Sequence, residues 1–233
     1  MSVLLMQLAG PLQSWGVAAR FARRTTAHAP SKSGVIGLLA AALGRERSAD
    51  LGDLVALRFG VRLDQPGVLV RDYQTARHQV TDSSMPVSER FYLGDAVFVA
   101  AVEGPDELVE ELARALERPV FLPYLGRRSC PPARPLSLGV RHEASLEQAL
   151  REEPWRAARW YQRRQRTATV ELAVLVDTAA GDGTADLQRD VPLSFDPLHR
   201  RYALRGVRTE QLELTNPASR VPDHDPIAAL GGV

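Results

Sequence analysis

The sequence predicts an α+β protein, because short apolar runs typical of strands alternate with two segments of helical character. The chain of 233 residues is 45% hydrophobic and 24% charged, which is a composition that allows a buried core. After Leu138 the character changes to a Trp- and Arg-rich stretch followed by strand-like runs. We therefore expect a first domain over residues 1–138 and a small β-rich C-terminal lobe over residues 139–233.

The first elements are predicted from apolar runs and from the residues that end them. Residues 3–9 form an apolar run that ends at Gly10-Pro11, which indicates a buried strand. Ser33 opens a second apolar run that ends at Gly44, which is typical of a buried helix with a glycine stop. A short helix is expected over residues 51–57.

The middle of the domain is predicted to carry a projecting hairpin. Residues 59–63 and 68–73 have strand character, and residues 91–102 form another strand-like run. The residues between the last two runs are polar and poor in apolar side chains. This pattern predicts a long β-hairpin arm over about residues 71–97.

The domain closes with a helix and a strand. Residues 105–116 have an amphipathic pattern, with Leu108, Leu112 and Leu116 on one face. Residues 119–125 are predicted to form the last strand. The resulting order βαββαβ is that of a ferredoxin-like sheet with an insertion between its middle strands.

Composition excludes several classes of protein. No apolar run approaches the roughly 20 residues that span a bilayer, and the first ten residues are too short for a signal peptide. The single cysteine, Cys130, excludes an internal disulfide and a multi-cysteine zinc site. The sequence therefore predicts a cytoplasmic protein with no membrane contact.

The charges are unevenly distributed, although the formal net charge is only +1. Basic residues outnumber acidic ones within residues 1–50. They do so again within residues 151–166, which contain six arginines and only two acidic residues, Glu152 and Glu153. Residues 171–196 are acidic. This asymmetry favours one basic face near phosphates and a remainder that meets protein neighbours.

The loop between the first strand and the first helix is the most informative segment for function. It combines Trp15, clustered arginines, small hydroxyl side chains and the start of a helix. Free N–H groups at a helix N-terminus, with Lys32 and Ser33 beside them, can bind phosphate. The alternative is that Ser31 or Ser33 only caps the helix and that the arginines are solvated. A P-loop is excluded, because Ser31 stands where that motif needs glycine before the lysine.

Two further segments could contact nucleic acid. The arm carries Arg, Tyr and Gln side chains that could lie between bases or along a backbone, and Arg127 and Arg128 follow the expected strand 119–125 in a loop stiffened by prolines. The alternatives are an ordinary exposed hairpin and a surface turn.

Catalysis is poorly supported by the sequence. The five histidines are scattered, and no metal-binding, G-x-S-x-G or paired-carboxylate pattern is present. A metal-independent ribonuclease needs only a few general acid–base side chains, so this alternative stays open. No cofactor and no metal are expected.

Five stretches in this order resemble the CasD family, whose members bind the five-prime handle of the guide RNA in the type I-E CRISPR Cascade complex. The resembling stretches are LLMQLAGPLQSWG, RRTTAHAPSKSGVIGLLAAALGR, RDYQTA, SERFYLGDAVF and FLPYLGRRSCPPARPL. They cover most of the first 138 residues.

The resemblance implies a ferredoxin-like fold of the RRM and RAMP type, with the hairpin arm as a thumb. It implies a non-catalytic subunit that caps the handle of the crRNA for antiviral interference. Its partners would be the crRNA, the large PAM-sensing subunit, the backbone subunit and target DNA near the handle–spacer junction. Two alternatives remain: an endoribonuclease that processes precursor crRNA, as in relatives of the I-C subtype, and a protein-interaction domain without an RNA role.

The resemblance also implies which residues contact RNA. Handle contacts are expected for Gln13, Ser14, Trp15, Arg20, Arg24, Lys32, Ser33, Arg127 and Arg128. Thumb contacts are expected for Arg71, Tyr73, Gln74, Thr75, Arg77, Arg90 and Tyr92.

Overall fold

Two antiparallel-rich sheets and five helices make up the part of the chain that the computed structural model describes, which is residues 1–16, 23–178, 183, 185–196 and 198–219. The strands are β1 (Ser2–Ala9), β2 (Leu12–Gln13), β3 (Arg23–Arg24), β4 (Arg58–Gln65), β5 (Val68–Gln74), β6 (Ser88–Gly94), β7 (Val97–Gly104), β8 (Ser137–His142), β9 (Thr169–Thr178), β10 (Asp186–Ser194) and β11 (Arg201–Thr215). The helices are α1 (Lys32–Ala42), α2 (Gly52–Val55), α3 (Asp106–Glu117), α4 (Leu146–Glu152) and α5 (Arg159–Arg164).

The main sheet has seven strands in the order β10-β11-β9-β4-β7-β1-β8. Four neighbours, β4, β7, β1 and β8, pair antiparallel throughout. With α1 after β1 and α3 after β7, they follow the predicted order of strand, helix, two strands, helix and strand. The α+β class and this order of elements are therefore confirmed.

Strand β1 is buried on both faces, which explains its unbroken apolar sequence. Leu4, Met6 and Leu8 belong to a core cluster shared with α1 and α3. Val3 and Leu5 alternate with them and join a second cluster with α4 and β9. Helices therefore cover both faces of the sheet around β1.

The C-terminal strands extend the N-terminal sheet. Strand β9 pairs with β4 through Gly60–Val176 and the two following partners, and β11 and β10 continue outward. The boundary expected between residues 138 and 139 falls inside β8, which pairs with β1. The β-rich C-terminal segment is therefore not a lobe with its own sheet.

The expected arm is a hairpin of β5 and β6, paired from Val68–Gly94 to Gln74–Ser88. We call the segment 68–94 the thumb. On its other edge β6 pairs with the short strands β2 and β3. The single strand expected over 91–102 is wrong, because the chain breaks at Asp95, whose φ of 54° is left-handed, and passes from one sheet to the other.

The strand expected over residues 119–125 is also wrong. In this segment the N–H groups of Val120 and Phe121 donate to the carbonyls of Ala42 and Ala41 at 2.9 and 3.1 Å, so they cap the C-terminus of α1. The fourth strand of the predicted order is β8 instead. The apolar residues of this segment predicted a buried strand, but Leu122 is exposed.

None of the helices in the described ranges is both long and apolar enough to cross a bilayer.

A buried ionic cluster joins α1 to the C-terminal strands. The carboxylate of Asp190 accepts from Arg205 Nε at 2.6 Å and from the backbone N–H of Lys32 at 2.8 Å. Asp177 accepts from Lys32 Nζ at 2.8 Å and from Arg205 Nη1 at 2.5 Å. Burial is offset by these bonds, and the two carboxylates hold the pKa of Arg205 above its ordinary value. The two positive and two negative charges of this cluster thus cancel inside the protein.

The change D190A removes the acceptor that Arg205 and the first turn of α1 share. Because breaking a buried ion pair leaves an uncompensated charge, we expect a loss of about 3 kcal/mol in the free energy of unfolding, measured by urea denaturation. E210Q is the matched control, since it breaks the partly exposed Arg208–Glu210 pair of β11 and should cost less than about 1 kcal/mol. Equal losses in the two variants would contradict the role given to the cluster.

Candidate nucleic-acid interface

The residues of the first loop hold the thumb to the body. Gln13 is fully buried, and its Nε2 donates to the carbonyls of Leu8 and Ala96 at 3.0 and 2.8 Å. Its Oε1 accepts from Trp15 Nε1 at 3.1 Å. Ser14 Oγ donates to the carbonyl of Phe91 in β6 at 3.1 Å. The side chains of Gln13, Ser14 and Trp15 are thus engaged inside the protein, where they position neighbours of the interface.

The start of α1 does not offer the open phosphate site that the sequence suggests. Ser31 caps the helix, its Oγ accepting from Gly34 N at 3.2 Å, and the next N–H, that of Lys32, is bound by Asp190. The amine of Lys32 is buried and donates to the carbonyl of Leu57 at 2.7 Å as well as to Asp177. The protein's own carboxylates therefore occupy the place of the phosphate. Ser33 is also nearly buried, 3.3 Å from Ser31.

Arg20, a further expected handle contact, lies outside the described residues.

Arginines converge where the thumb meets the loop after α3. Arg127 stacks over the ring of buried Tyr92 at 4.7 Å, and its Nη2 donates to the carbonyl of Arg24 at 2.8 Å. Strand β3 pairs with β6 so that Arg24 lies opposite Arg90. Because Arg90 and Tyr92 alternate along β6, they share one face of the strand. We call Arg24, Arg90, Tyr92 and Arg127 the arginine cluster.

Two N–H groups of this cluster are shielded from solvent without a hydrogen-bond partner among the described residues. They are Nε of Arg90 and Nη1 of Arg127. A buried donor without an acceptor costs about 1–3 kcal/mol, more when it is charged. Both side chains are partly exposed, so their other N–H groups remain open to the oxygens of a phosphate.

A tight turn places Arg127. Gly126 has φ of 82°, and a Cβ there would clash with the carbonyl oxygen of Ser14. The turn is closed by bonds from Leu125 N to the carbonyl of Cys130 at 2.7 Å and from Cys130 N to that of Arg127 at 2.9 Å. Burial raises the pKa of the Cys130 thiol, so it stays neutral and packs in the core.

A groove of about 1140 Å³ runs along α1 beside this turn. Small residues of α1, among them Gly34 and Gly37, form its floor, and residues of the segment 120–131 form one wall. Phe195, Asp196, Arg200 and Tyr202 form the other wall. Its charged lining residues are Arg45, Arg47, Arg128 and Arg200 against Glu46 and Asp196, and Arg45 is held by Asp53 at 2.5 Å. The lining therefore carries a small excess of positive charge.

The thumb exposes Arg71, Tyr73, Thr75 and Arg77 among its expected contact residues, whereas Tyr92 is buried and Gln74 and Arg90 are half-buried. Arg71 lies 5.0 Å over the ring of Tyr73, which is 54% exposed, and Thr75 and Arg77 are also exposed. Arg77 pairs with Asp82 at 2.8 Å near the tip. Gln74 donates to Asp72 at 2.9 Å. An exposed tyrosine next to a guanidinium group is a surface on which bases stack.

Sequence reasoning missed the groove wall formed by Phe195, Asp196 and Tyr202 and the basic residues Arg45, Arg47 and Arg200. These segments lie far apart in the chain and meet only because β10 and β11 join the main sheet. Only the run of arginines around Arg45 could have signalled them. Within the described ranges, no group of three or more His, Cys, Asp or Glu side chains could hold a metal ion.

Comparison with known proteins identifies the family of the chain. Residues 3–208 match the family described as "CRISPR-associated protein (Cas_Cas5)". The chain is 38% identical over 170 residues to the CRISPR system Cascade subunit CasD of Escherichia coli (strain K12), which covers 64% of this chain and 75% of that protein.

Two solved structures are similar over almost the whole chain. A chain of a CRISPR RNA-guided surveillance complex superimposes with a TM-score of 0.76 and 35% identity, covering 98% of this chain and 97% of that chain. A crystal structure of a Cas protein superimposes with a TM-score of 0.71 and 38% identity, covering 93% and 97%. The resemblance to CasD is thereby confirmed, and the chain belongs to the CRISPR-associated Cas5 family.

Proposed function

We propose that this chain is the guide-RNA-binding subunit of a type I-E Cascade surveillance complex and that it caps the five-prime handle of the crRNA without cutting it. The membership in the Cas5 family and the similarity to a Cascade subunit support this proposal. The order β4-β7-β1-β8, with α1 and α3 as the two crossovers, supports a ferredoxin-like domain of the RAMP type.

The observation that carries the proposal is the arginine cluster, in which Arg90 and Arg127 are partly exposed next to Tyr92. A backbone phosphate that accepts from the solvent-facing N–H groups of both side chains would add charge-assisted hydrogen bonds. The stacking of Arg127 on Tyr92 already orders its guanidinium group, so little side-chain entropy is lost on binding. Phosphate contact therefore stabilises a site that is prepared for it.

The groove and the thumb extend this site in two directions. Along α1 the strand would follow the basic groove, with Arg128 and Arg200 near phosphates. On the thumb, Tyr73 and Arg71 offer a stacking surface for a base at the end of the handle. Proteins that bind single-stranded RNA commonly combine a basic groove with aromatic side chains in this way.

The proposed protein partners are the large PAM-sensing subunit and a backbone subunit, with target DNA near the handle–spacer junction. Exposed apolar side chains support a role inside an assembly. Val68 and Leu69 are more than half exposed at the root of the thumb, and Val120 and Leu122 are 66% and 86% exposed at the groove wall. Such groups of apolar side chains mark surfaces that partners cover.

A non-catalytic role is supported by the state of the chain's one lysine. A metal-independent ribonuclease uses side chains that can exchange protons with the RNA. Lys32 is buried, and its amine is bound by Asp177 and by the carbonyl of Leu57. It is therefore poorly placed to act as a general acid or to reach a scissile phosphate.

The double change R90A/R127A tests the phosphate site. Charge-assisted hydrogen bonds contribute about 1.5 kcal/mol or more each, so we expect about 100-fold weaker binding of a handle RNA, measured by fluorescence anisotropy. The control R114A/R118A removes two exposed arginines of the α3 region and should leave binding unchanged. Thermal unfolding of each variant separates lost binding from lost folding. Unchanged affinity in a folded R90A/R127A protein would remove the phosphate site.

A cleavage assay tests the cap against the nuclease. The purified chain is incubated with repeat RNA in EDTA, and products are resolved on a denaturing gel. We expect bound, full-length RNA, because the amine of Lys32 is engaged. Discrete products that appear with the purified chain, and not with a mock purification from cells that lack it, would contradict the proposal.

A further inference from the structure

Helix α5 has an outward face rich in arginine that lies outside the arginine cluster and the groove. At 100° per residue, the positions 159, 163, 160 and 164 form one continuous face. Arg159, Trp160, Arg163 and Arg164 are all exposed, whereas Tyr161 is half-buried and Gln162 is buried on the inner face. Arg166 is exposed just beyond the helix.

The arginines of this face differ from most buried or half-buried arginines of the described ranges in their lack of carboxylate partners there. Arg58, Arg62, Arg141, Arg156 and Arg205 each have a carboxylate partner. By contrast, none of the four arginines of the α5 region has an ion pair with another residue in the described ranges. Glu171 and Glu213, which line a cavity of about 460 Å³ on the inner side of α5 with Tyr161, pair with none of them either. The outward face therefore presents a positive surface.

Trp160 adds an exposed aromatic ring to this positive surface. Its side chain is 51% exposed and meets Tyr161 edge-on, with ring centroids 5.7 Å apart. The other two tryptophans of the chain, Trp15 and Trp155, are 1% and 6% exposed. An indole kept in solvent between guanidinium groups has a free face for a planar ring.

Buried hydrogen bonds fix α5 in place despite its short length. Asn216 Nδ2 donates to the carbonyls of Gln162 and Gln165 at 3.1 and 3.0 Å and so caps the end of the helix. Ahead of the helix, Trp155 Nε1 donates to the carbonyl of Asp64 at 2.8 Å. The face is therefore preorganised, and binding loses little conformational entropy.

The same bonds place α5 at the root of the thumb. Gln65, the last residue of β4, accepts from Ala158 N at 3.1 Å. Its Nε2 donates to the carbonyl of Asp95 at 2.5 Å, where the chain leaves the thumb. A nucleic-acid strand that passes the thumb can therefore meet the face of α5.

We propose that the outward face of α5 is a second binding surface for single-stranded nucleic acid. Arg159, Arg163 and Arg164 bind phosphates, and Trp160 stacks on one base. The charge requires a polyanion, and the exposed ring favours one with planar bases. No residue is shared with the arginine cluster, so this surface does not depend on the handle site. RNA and DNA offer the same chemistry here, and the experiment separates them.

Tryptophan fluorescence tests the stacking directly, since Trp160 is the exposed tryptophan of the chain. The full chain is titrated with single-stranded RNA or DNA of about twelve nucleotides, a length within the usual site size. We expect quenching that is lost in W160F. Polyphosphate, which has no bases, should bind without quenching. Oligonucleotides that bind with unchanged fluorescence, or quenching that persists in W160F, would overturn the proposal.

Salt dependence tests the arginines. Single-strand binding has a slope in log K against log salt of about 0.7 per phosphate contact, so R159A/R163A should reduce the slope by about 1.4. W160A should weaken binding about tenfold. R114A/R118A is the control and should change neither. Tighter binding of RNA than of DNA assigns the surface to the guide, and tighter binding of DNA assigns it to target DNA.

Two outcomes keep this proposal separate from the handle site. R90A/R127A should retain the quenching of Trp160 whether or not it loses handle RNA, because its residues lie elsewhere. The second outcome uses a glutamate-rich peptide as competitor. If the peptide binds the unchanged chain more tightly than the oligonucleotide does, displaces it, and binds R159A/R163A as weakly as the oligonucleotide does, the face binds a protein and the proposal is overturned.

Discussion

The placement of the candidate RNA groove depends on the buried carboxylate of Asp190. It binds the first free N–H of α1 and the guanidinium group of Arg205, and so fixes the helix against β10 and β11. One wall of the groove is formed by Phe195, Asp196 and Arg200, which lie between those two strands, and by Tyr202 of β11, while the floor is α1 itself. Buried ion pairs cost desolvation and contribute little net stability, but their geometry is specific. Here that geometry holds the floor against the strands that carry this wall.

The same carboxylate explains why the start of α1 is closed to phosphate, so that Ser31 caps the helix as the alternative interpretation of the sequence expected. A helix N-terminus with Ser31, Lys32 and Ser33 has the chemistry of a phosphate site. The local sequence does not reveal Asp190, which is 158 residues away from Lys32 and reaches it only through the fold of the sheet. An anion does bind this helix, but it belongs to the protein. Lys32, which was expected to contact RNA, forms an ion pair with Asp177 inside the protein.

Local patterns were enough to predict β1, α1, α3 and the thumb, because each has a period or an end signal of its own. They failed for residues 119–125, whose apolar side chains are exposed in a segment that caps α1. They also failed to place β9, since pairing with β4 is a long-range property. For the interface, the RNA contacts expected for Arg90 and Arg127 stay a prediction, whereas Gln13 and Trp15 are buried and hold neighbouring elements. One-dimensional patterns do not distinguish a residue that binds a ligand from one that positions it.

Two buried glutamines position the chain at the root of the thumb. Gln13 and Gln65 are both buried amides that bridge backbone groups of separate elements, and both contact the chain where it leaves the thumb, at Ala96 and Asp95. Amide side chains can donate and accept at once, so each fastens two partners without adding charge. Arg127, which stacks over Tyr92 of the thumb, has no carboxylate partner within the ranges that the structure describes. A neutral scaffold therefore supports a guanidinium group whose charge is left for the surface of the protein.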